Sequence, residues 1–206
     1  LKKMADSEII MKYGIPLPVA KIVSAKQEAV DTAKHIGFPV VLKIVSKTIL
    51  HKSDVGGVKL EIQNELQFRE AFESMEKNIP KKDIDGFLVQ RWYPGHWAFI
   101  GMKRDSQFGP VVAFGMGGIF VEIMKDVSLR IAPITESDAR EMIKEIKAYP
   151  VLEGARGGIK ANTELLVKIL LAVSKLSMEN NDIRELDLNP VVINDKEAAA
   201  VDVRII

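Results

Sequence analysis

The closing segment restricts the fold most. Residues 185–190 read Glu-Leu-Asp-Leu-Asn-Pro and alternate polar with apolar side chains. A period of two fits a strand with one dry face and one wet face, and it does not fit a helix. A turn centred on Asp195-Lys196 returns the chain as a second strand over 198–206. That pairing sets Ile193 against Ala198 and, in the same register, Asn189 against Asp202. Asp187 shares the face of Asn189, and directly opposed residues hold their Cβ atoms roughly 4.5–5.5 Å apart. Three oxygen-bearing side chains therefore converge on one patch. Such a set suits Mg²⁺, which takes oxygen ligands and keeps waters or phosphate oxygens. Hydrated polar positions on an exposed sheet face are the alternative.

The rest of the chain mixes helices and strands. Residues 4–13 predict a helix stopped by Gly14, and Ser24 with Gln27 predicts a capping box for a helix ending at Gly37. The valine-rich run 38–45 reads as a buried strand, followed by a strand at 58–62 and an Asn64-capped helix to about 78. Strands are expected at 86–93, at 97–103 and twice within 111–125, around the glycine cluster 115–118. Thr135 and Asp138 frame another helix start, 153–158 is a glycine-rich loop, and 161–178 is a strongly apolar helix. This order lacks strict βαβ alternation, which favours an α+β fold over a doubly wound sheet. Trp92-Tyr93-Pro94-Gly95 interrupts the pattern and predicts two lobes, 1–93 and 94–206.

Apolar residues make up 47% of the 206 and charged residues 28%, enough for a sizeable core. A net charge of +1 gives no field for nucleic acid or anionic membrane. With no cysteine, disulfides, thiolate metal sites and a cysteine nucleophile are excluded. The N-terminal stretch has no apolar signal-peptide core, and the longest uncharged run, 106–121, is too short and too broken to span a bilayer. A soluble, cytoplasmic protein is expected.

Lys43 is the one cation in the apolar run 40–45. A buried ammonium needs an anion, either a ligand phosphate or a structural carboxylate. His51 stands among polar neighbours, with Lys47 and Lys52 close by, Asp54 able to orient its ring, and Gly56-Gly57 permitting close approach of a ligand. A neutral imidazole is a competent phosphoryl acceptor; an ordinary surface histidine is the rival reading. The cluster Gly115-Met116-Gly117-Gly118 is neither a dinucleotide fingerprint nor a P-loop, and a tight strand connection accounts for it.

Read together, 37–44 (Gly-Phe-Pro-Val-Val-Leu-Lys-Ile), 51–58 (His-Lys-Ser-Asp-Val-Gly-Gly-Val), 108–111, 115–122 and 185–190 resemble, in order and over almost the whole chain, the ATP-grasp subunit of ADP-forming acyl-CoA synthetases. The resemblance implies an ATP-grasp α+β fold with the nucleotide between two lobes. It also implies a reversible reaction in which acyl-CoA, ADP and phosphate give acid, CoA and ATP. A separate CoA-binding α subunit, in an α2β2 heteromer, would form an acyl phosphate and pass the phosphoryl group through its own histidine. His51 would then relay that group to ADP, with Asp187 steadying the phosphohistidine. Lys43 matches the phosphate-contacting lysine, Gln90 to Tyr93 (with Trp92) match the strand bordering the adenine, and Asn189 and Asp202 match the Mg²⁺ ligands. Glu122 receives no role. Two departures stand out: Trp97 occupies the place of a usual acidic residue after Pro-Gly, and Gln90 stands where the succinyl-CoA synthetase relative has glutamate. The alternatives are an ATP-grasp ligase forming the acyl phosphate directly and a non-catalytic nucleotide-binding domain.

Overall fold

The structure is a computed structural model that describes residues 2–49, 52–117, 121 and 123–206. The chain forms two compact units, 18–92 and 1–17 with 93–206. The expected boundary at 93/94 lies one residue from the observed break, but the first seventeen residues belong with the C-terminal unit. Local sequence could not show this, because it depends on packing: Ile10 and Ile15 are buried in that unit's core, and the Tyr13 hydroxyl donates to Glu179 at 2.8 Å.

In the smaller unit, β1 (Ala20–Val23), β2 (Val40–Val45), β3 (Val58–Ile62) and β4 (Gly86–Arg91) form an antiparallel sheet ordered β1-β4-β2-β3. Helices α2 (Lys26–Ile36) and α3 (Glu65–Asn78) supply Val30, Ala33, Phe68 and Phe72 to a core shared with Val40, Leu42, Ile44, Phe87 and Val89. Asn64 caps α3 by accepting from the Gln67 N–H at 3.0 Å, and Gly37 ends α2 at φ 87°. The capping box at Ser24 does not form. The N-cap is Ala25, Gln27 donates instead to Asp31 at 3.0 Å, and the Glu28 carboxylate takes a backbone N–H at Ser24.

In the larger unit, α1 (Lys2–Lys12) precedes β5 (His96–Asp105), β6 (Gly109–Met116), β7 (Val127–Ile131), β8 (Glu185–Ile193), β9 (Ala198–Ala200) and β10 (Val203–Ile205). The sheet runs β10-β8-β5-β6-β7, with β9 also paired to β8. The second strand expected within 111–125 does not form among the described residues, where Val121 is helical and 123–124 is a turn; the next strand, β7, begins at Val127. Helices α4 (Glu136–Glu145), α5 (Tyr149–Leu152) and α6 (Thr163–Glu179) follow, α4 opening with the expected Thr135–Asp138 capping box. Met142, Leu166, Leu170 and Val173 share the core with Ala98, Ile100, Met102, Leu186 and Leu188.

Arg104 ties this sheet to the end of α6. Its guanidinium donates to the Ser177 and Asn180 carbonyls at 2.7 and 3.1 Å and to the Ile183 carbonyl at 3.3 Å. A cation there satisfies orphan carbonyls and opposes the helix dipole. Arg104→Ala is expected to destabilise the fold by about 2 kcal/mol or more, read as a lowered midpoint in a urea melt.

Candidate active site

Core residues Ala98, Ile100 and Met102 on β5, and Leu186 and Leu188 on β8, fix which face of the larger sheet looks outward. That outer face carries Trp97, Phe99, Gly101 and Lys103 on β5 and Glu185, Asp187 and Asn189 on β8. One row crosses five strands: Leu129, Ala113, Gly101, Asp187 and Arg204 are paired in succession.

The expected hairpin register is the observed one. Ile193 pairs with Ala198, Val203 with Leu188, and the Asn189 N–H donates to the Asp202 carbonyl at 3.2 Å. The turn is locked by Asn194, whose Oδ1 accepts from the Lys196 and Glu197 amides, both at 2.9 Å. Asn189 and Asp202 are exposed, and Asp187 is half-buried. The Asp187 Oδ1 is buried without a hydrogen-bond partner among the described residues. Burial, and then the neighbouring Asp202 carboxylate, push the Asp187 carboxyl above the usual carboxylate range against the pull of Arg204. An orphaned, partly desolvated carboxylate oxygen beside an amide and a second carboxylate fits a hard divalent cation. No group of three or more His, Cys, Asp or Glu able to hold a metal occurs among the described residues. A cation here would thus rest on few protein oxygens and complete its shell from waters and phosphates, the habit of Mg²⁺.

Two further predicted residues meet in the smaller unit. Val40, Leu42 and Ile44 enter its core, so Lys43 lies on the other face of β2. Lys43 pairs with Leu88 and with Val58, while Gln90, two residues along β4, pairs with Val41. Lys43 and Gln90 are thereby diagonal neighbours on one face, with Cβ atoms about 7–8 Å apart. Gln90 is only 2% exposed, and the half-buried Trp92 donates its backbone N–H to the Pro39 carbonyl at 3.2 Å. Tyr93 belongs to the larger unit, in a small apolar cluster with Val192 and Ala199.

His51, Glu122 and the glycine-cluster residue Gly118 lie outside the described residues. The turn that follows His51 is described. The Gly56 and Gly57 amides donate to the Ser53 and Lys52 carbonyls, and Gly56 takes φ 70°. A Cβ on Gly57 would come within 2.8 Å of the Ile44 side chain, so this glycine is required by packing whatever it does for a ligand. Sequence reasoning missed the outward apolar residues Leu129 and Ile131, both exposed, and Phe99, whose ring fills the space a Cβ on Gly101 would take. The alternation of β5 carried the signal for Phe99, whereas the apolar alternation of β7 points Leu129 and Ile131 the wrong way.

All 206 residues match the ATP-grasp domain family. The acetate–CoA ligase [ADP-forming] I subunit beta of Pyrococcus furiosus is 50% identical over 204 residues, covering 97% of this chain and 88% of that relative. The acetate–CoA ligase [ADP-forming] I of Archaeoglobus fulgidus is 48% identical over 96% of this chain, but the match spans only 30% of that longer protein. Among solved structures, the dinucleotide-forming acetyl-coenzyme A synthetase 1 of Candidatus Korarchaeum cryptofilum superposes with a TM-score of 0.84 at 45% identity, over 98% of this chain and 90% of that one. It holds coenzyme A and Mg-AMPPCP, with a phosphohistidine segment pointing towards the nucleotide binding site. The chain therefore belongs to the ATP-grasp family, on the branch of the ADP-forming acetate–CoA ligase β subunits.

Proposed function

We propose that this chain is the nucleotide-side subunit of an ADP-forming acyl-CoA synthetase, relaying a phosphoryl group through His51 to ADP. The observation that carries the reading is the pairing of Asn189 with Asp202 beside the orphaned Asp187 oxygen. The Pyrococcus furiosus likeness and the nucleotide-analogue complex of the Korarchaeum relative support it. So does the longer Archaeoglobus relative, in which this sequence matches only one part; the CoA-binding part would here be a separate α partner. The cellular location that goes with this reading is the cytoplasm; no helix among the described residues is long and apolar enough to cross a membrane.

Asn189 and Asp202 would hold Mg²⁺, which when bound neutralises charge on the nucleotide phosphates. The neutral His51 ring nitrogen attacks phosphorus on the partner's phosphoryl donor, forming an N–P bond as the donor's bond breaks. A terminal oxygen of ADP then attacks the same phosphorus; the N–P bond breaks, and ATP and neutral imidazole are released. Asp187 lends its negative charge to the imidazolium-like phosphohistidine, Lys43 contacts a nucleotide phosphate, and Gln90, Trp92 and Tyr93 border the base.

Calorimetry of ADP binding with and without Mg²⁺ tests the nucleotide site. The Asn189→Ala, Asp202→Ala double variant is expected to lose on the order of 100-fold in Mg-ADP affinity, at least what outer-shell losses reach at metal sites. Its affinity in EDTA should equal that of the unaltered chain. Unchanged Mg-ADP affinity would remove this pair from the site.

A further inference from the structure

An exposed indole stands on the same sheet face as the cation pair. Trp97 is 42% exposed, although its strand neighbours Ala98 and Ile100 are fully buried. Its backbone is held firmly: the Trp97 carbonyl accepts from the Gly117 N–H at 2.7 Å, and a Cβ on Gly117 would lie 3.3 Å from that carbonyl oxygen. Trp97 pairs with Val192, and Val192 with Ala199. Val192 and Ala199, with Tyr93 and the partly buried Val201, form an apolar cluster separate from the main core. Directly opposed residues share a face, so the cluster lies on the outer side and leads through Val201 to Asp202. A bulge in β8 sets the Asn189-Pro190 step against Phe99 of β5. Trp97 is two residues further along, about 7 Å at strand rise.

The face is therefore divided, with an exposed aromatic ring beside a buried apolar cluster at one end and oxygen donors one short step away. A ligand that matches both ends has a planar ring joined to a metal-bound polyanion. Resting on the function proposed above, we propose that Trp97 is the base-stacking residue of this site, its indole covering the nucleobase of the nucleotide whose phosphate end is held at Asn189 and Asp202. Stacking of this kind tolerates any base, because every base presents a π-face. Trp97 accordingly sets affinity for nucleotides over base-free polyphosphates.

The experiment is calorimetry of the full chain with Mg-ADP and with Mg-pyrophosphate, which has no base, together with indole fluorescence during the ADP titration. Trp97→Ala should weaken Mg-ADP binding about 10- to 100-fold and leave pyrophosphate binding within about twofold, as expected when one base stack is removed. Trp97→Phe, which keeps a ring, should stay within about threefold of the unaltered chain for ADP while losing most of the ADP-induced emission change. Trp97→Ala binding ADP as tightly as the unaltered chain overturns the role of Trp97 alone. Equal losses for ADP and pyrophosphate overturn it too, because the residue would then act on the phosphate end or the fold. No binding of ADP by the unaltered chain overturns both this role and the nucleotide site itself.

Discussion

Substituting His51 with alanine is expected to lower acyl-CoA-dependent ATP formation, assayed with the α partner, by on the order of 10⁴-fold or more, the scale on which removal of a covalent nucleophile acts. Mg-ADP affinity should remain within about twofold, because the imidazole acts on phosphorus and does not hold the nucleotide. This split separates the two enzymatic readings: a ligase that forms its acyl phosphate directly from ATP has no intermediate at His51 and would tolerate the change. The dependence on pH has a definite sign. Attack requires a free ring lone pair, so phosphoryl uptake falls as acid protonates the imidazole.

Asp187→Asn is expected to move stability and activity in opposite directions. The carboxyl is held above the usual carboxylate range, first by burial and second by Asp202. A group whose folded pKa exceeds its unfolded value costs the fold nothing below the unfolded value and destabilises it as pH rises through the folded one. At neutral pH the ionised Asp187 therefore works against the fold, and its buried Oδ1 has no hydrogen-bond partner among the described residues to offset this. Asparagine removes the charge at nearly constant shape. The ligand-free variant should melt about 2–4 °C higher, the shift that ~1 kcal/mol gives in a chain of this size, and the gain should vanish below the ordinary carboxylate range. Relay turnover should fall at least 100-fold, because the charge that steadies the cationic phosphohistidine is lost. A variant that melts lower at neutral pH would show that Asp187 is satisfied in the fold and is not retained for function at a cost to stability.

Much of the architecture was legible where the signal is local. Asn64, Gly37 and the Thr135–Asp138 box mark helix ends through hydrogen bonds within a few residues, and all three are seen. The β8 hairpin was legible because a period of two and one turn fix every pair in it, down to Asn189 beside Asp202. Sequence reasoning failed where packing decides. Ser24 carries a capping signature, yet the N-cap is Ala25: Gln27 turns to Asp31, and it is Glu28 that reaches back to the Ser24 backbone. Strand β7 reverses the usual code: Ser128 is buried and Leu129 and Ile131 face out, so apolar alternation names the wrong side as core. The placing of residues 1–17 with the C-terminal unit rests on contacts more than 150 residues apart in sequence, such as Tyr13 with Glu179. At the site, the register set Asn189 against Asp202, whereas the desolvation of Asp187 comes from tertiary burial, which no local pattern in the sequence carries.

The most direct test of the relay is to incubate the chain and its α partner with γ-labelled ATP and Mg²⁺, separate the subunits, and measure acid-labile, base-stable label on each, with His51→Ala alongside. The account predicts label on this chain that is absent in His51→Ala and chased into ATP by unlabelled ADP. An unlabelled chain under turnover conditions, with ADP binding intact, would contradict the relay and leave a ligase that transfers the phosphoryl group directly.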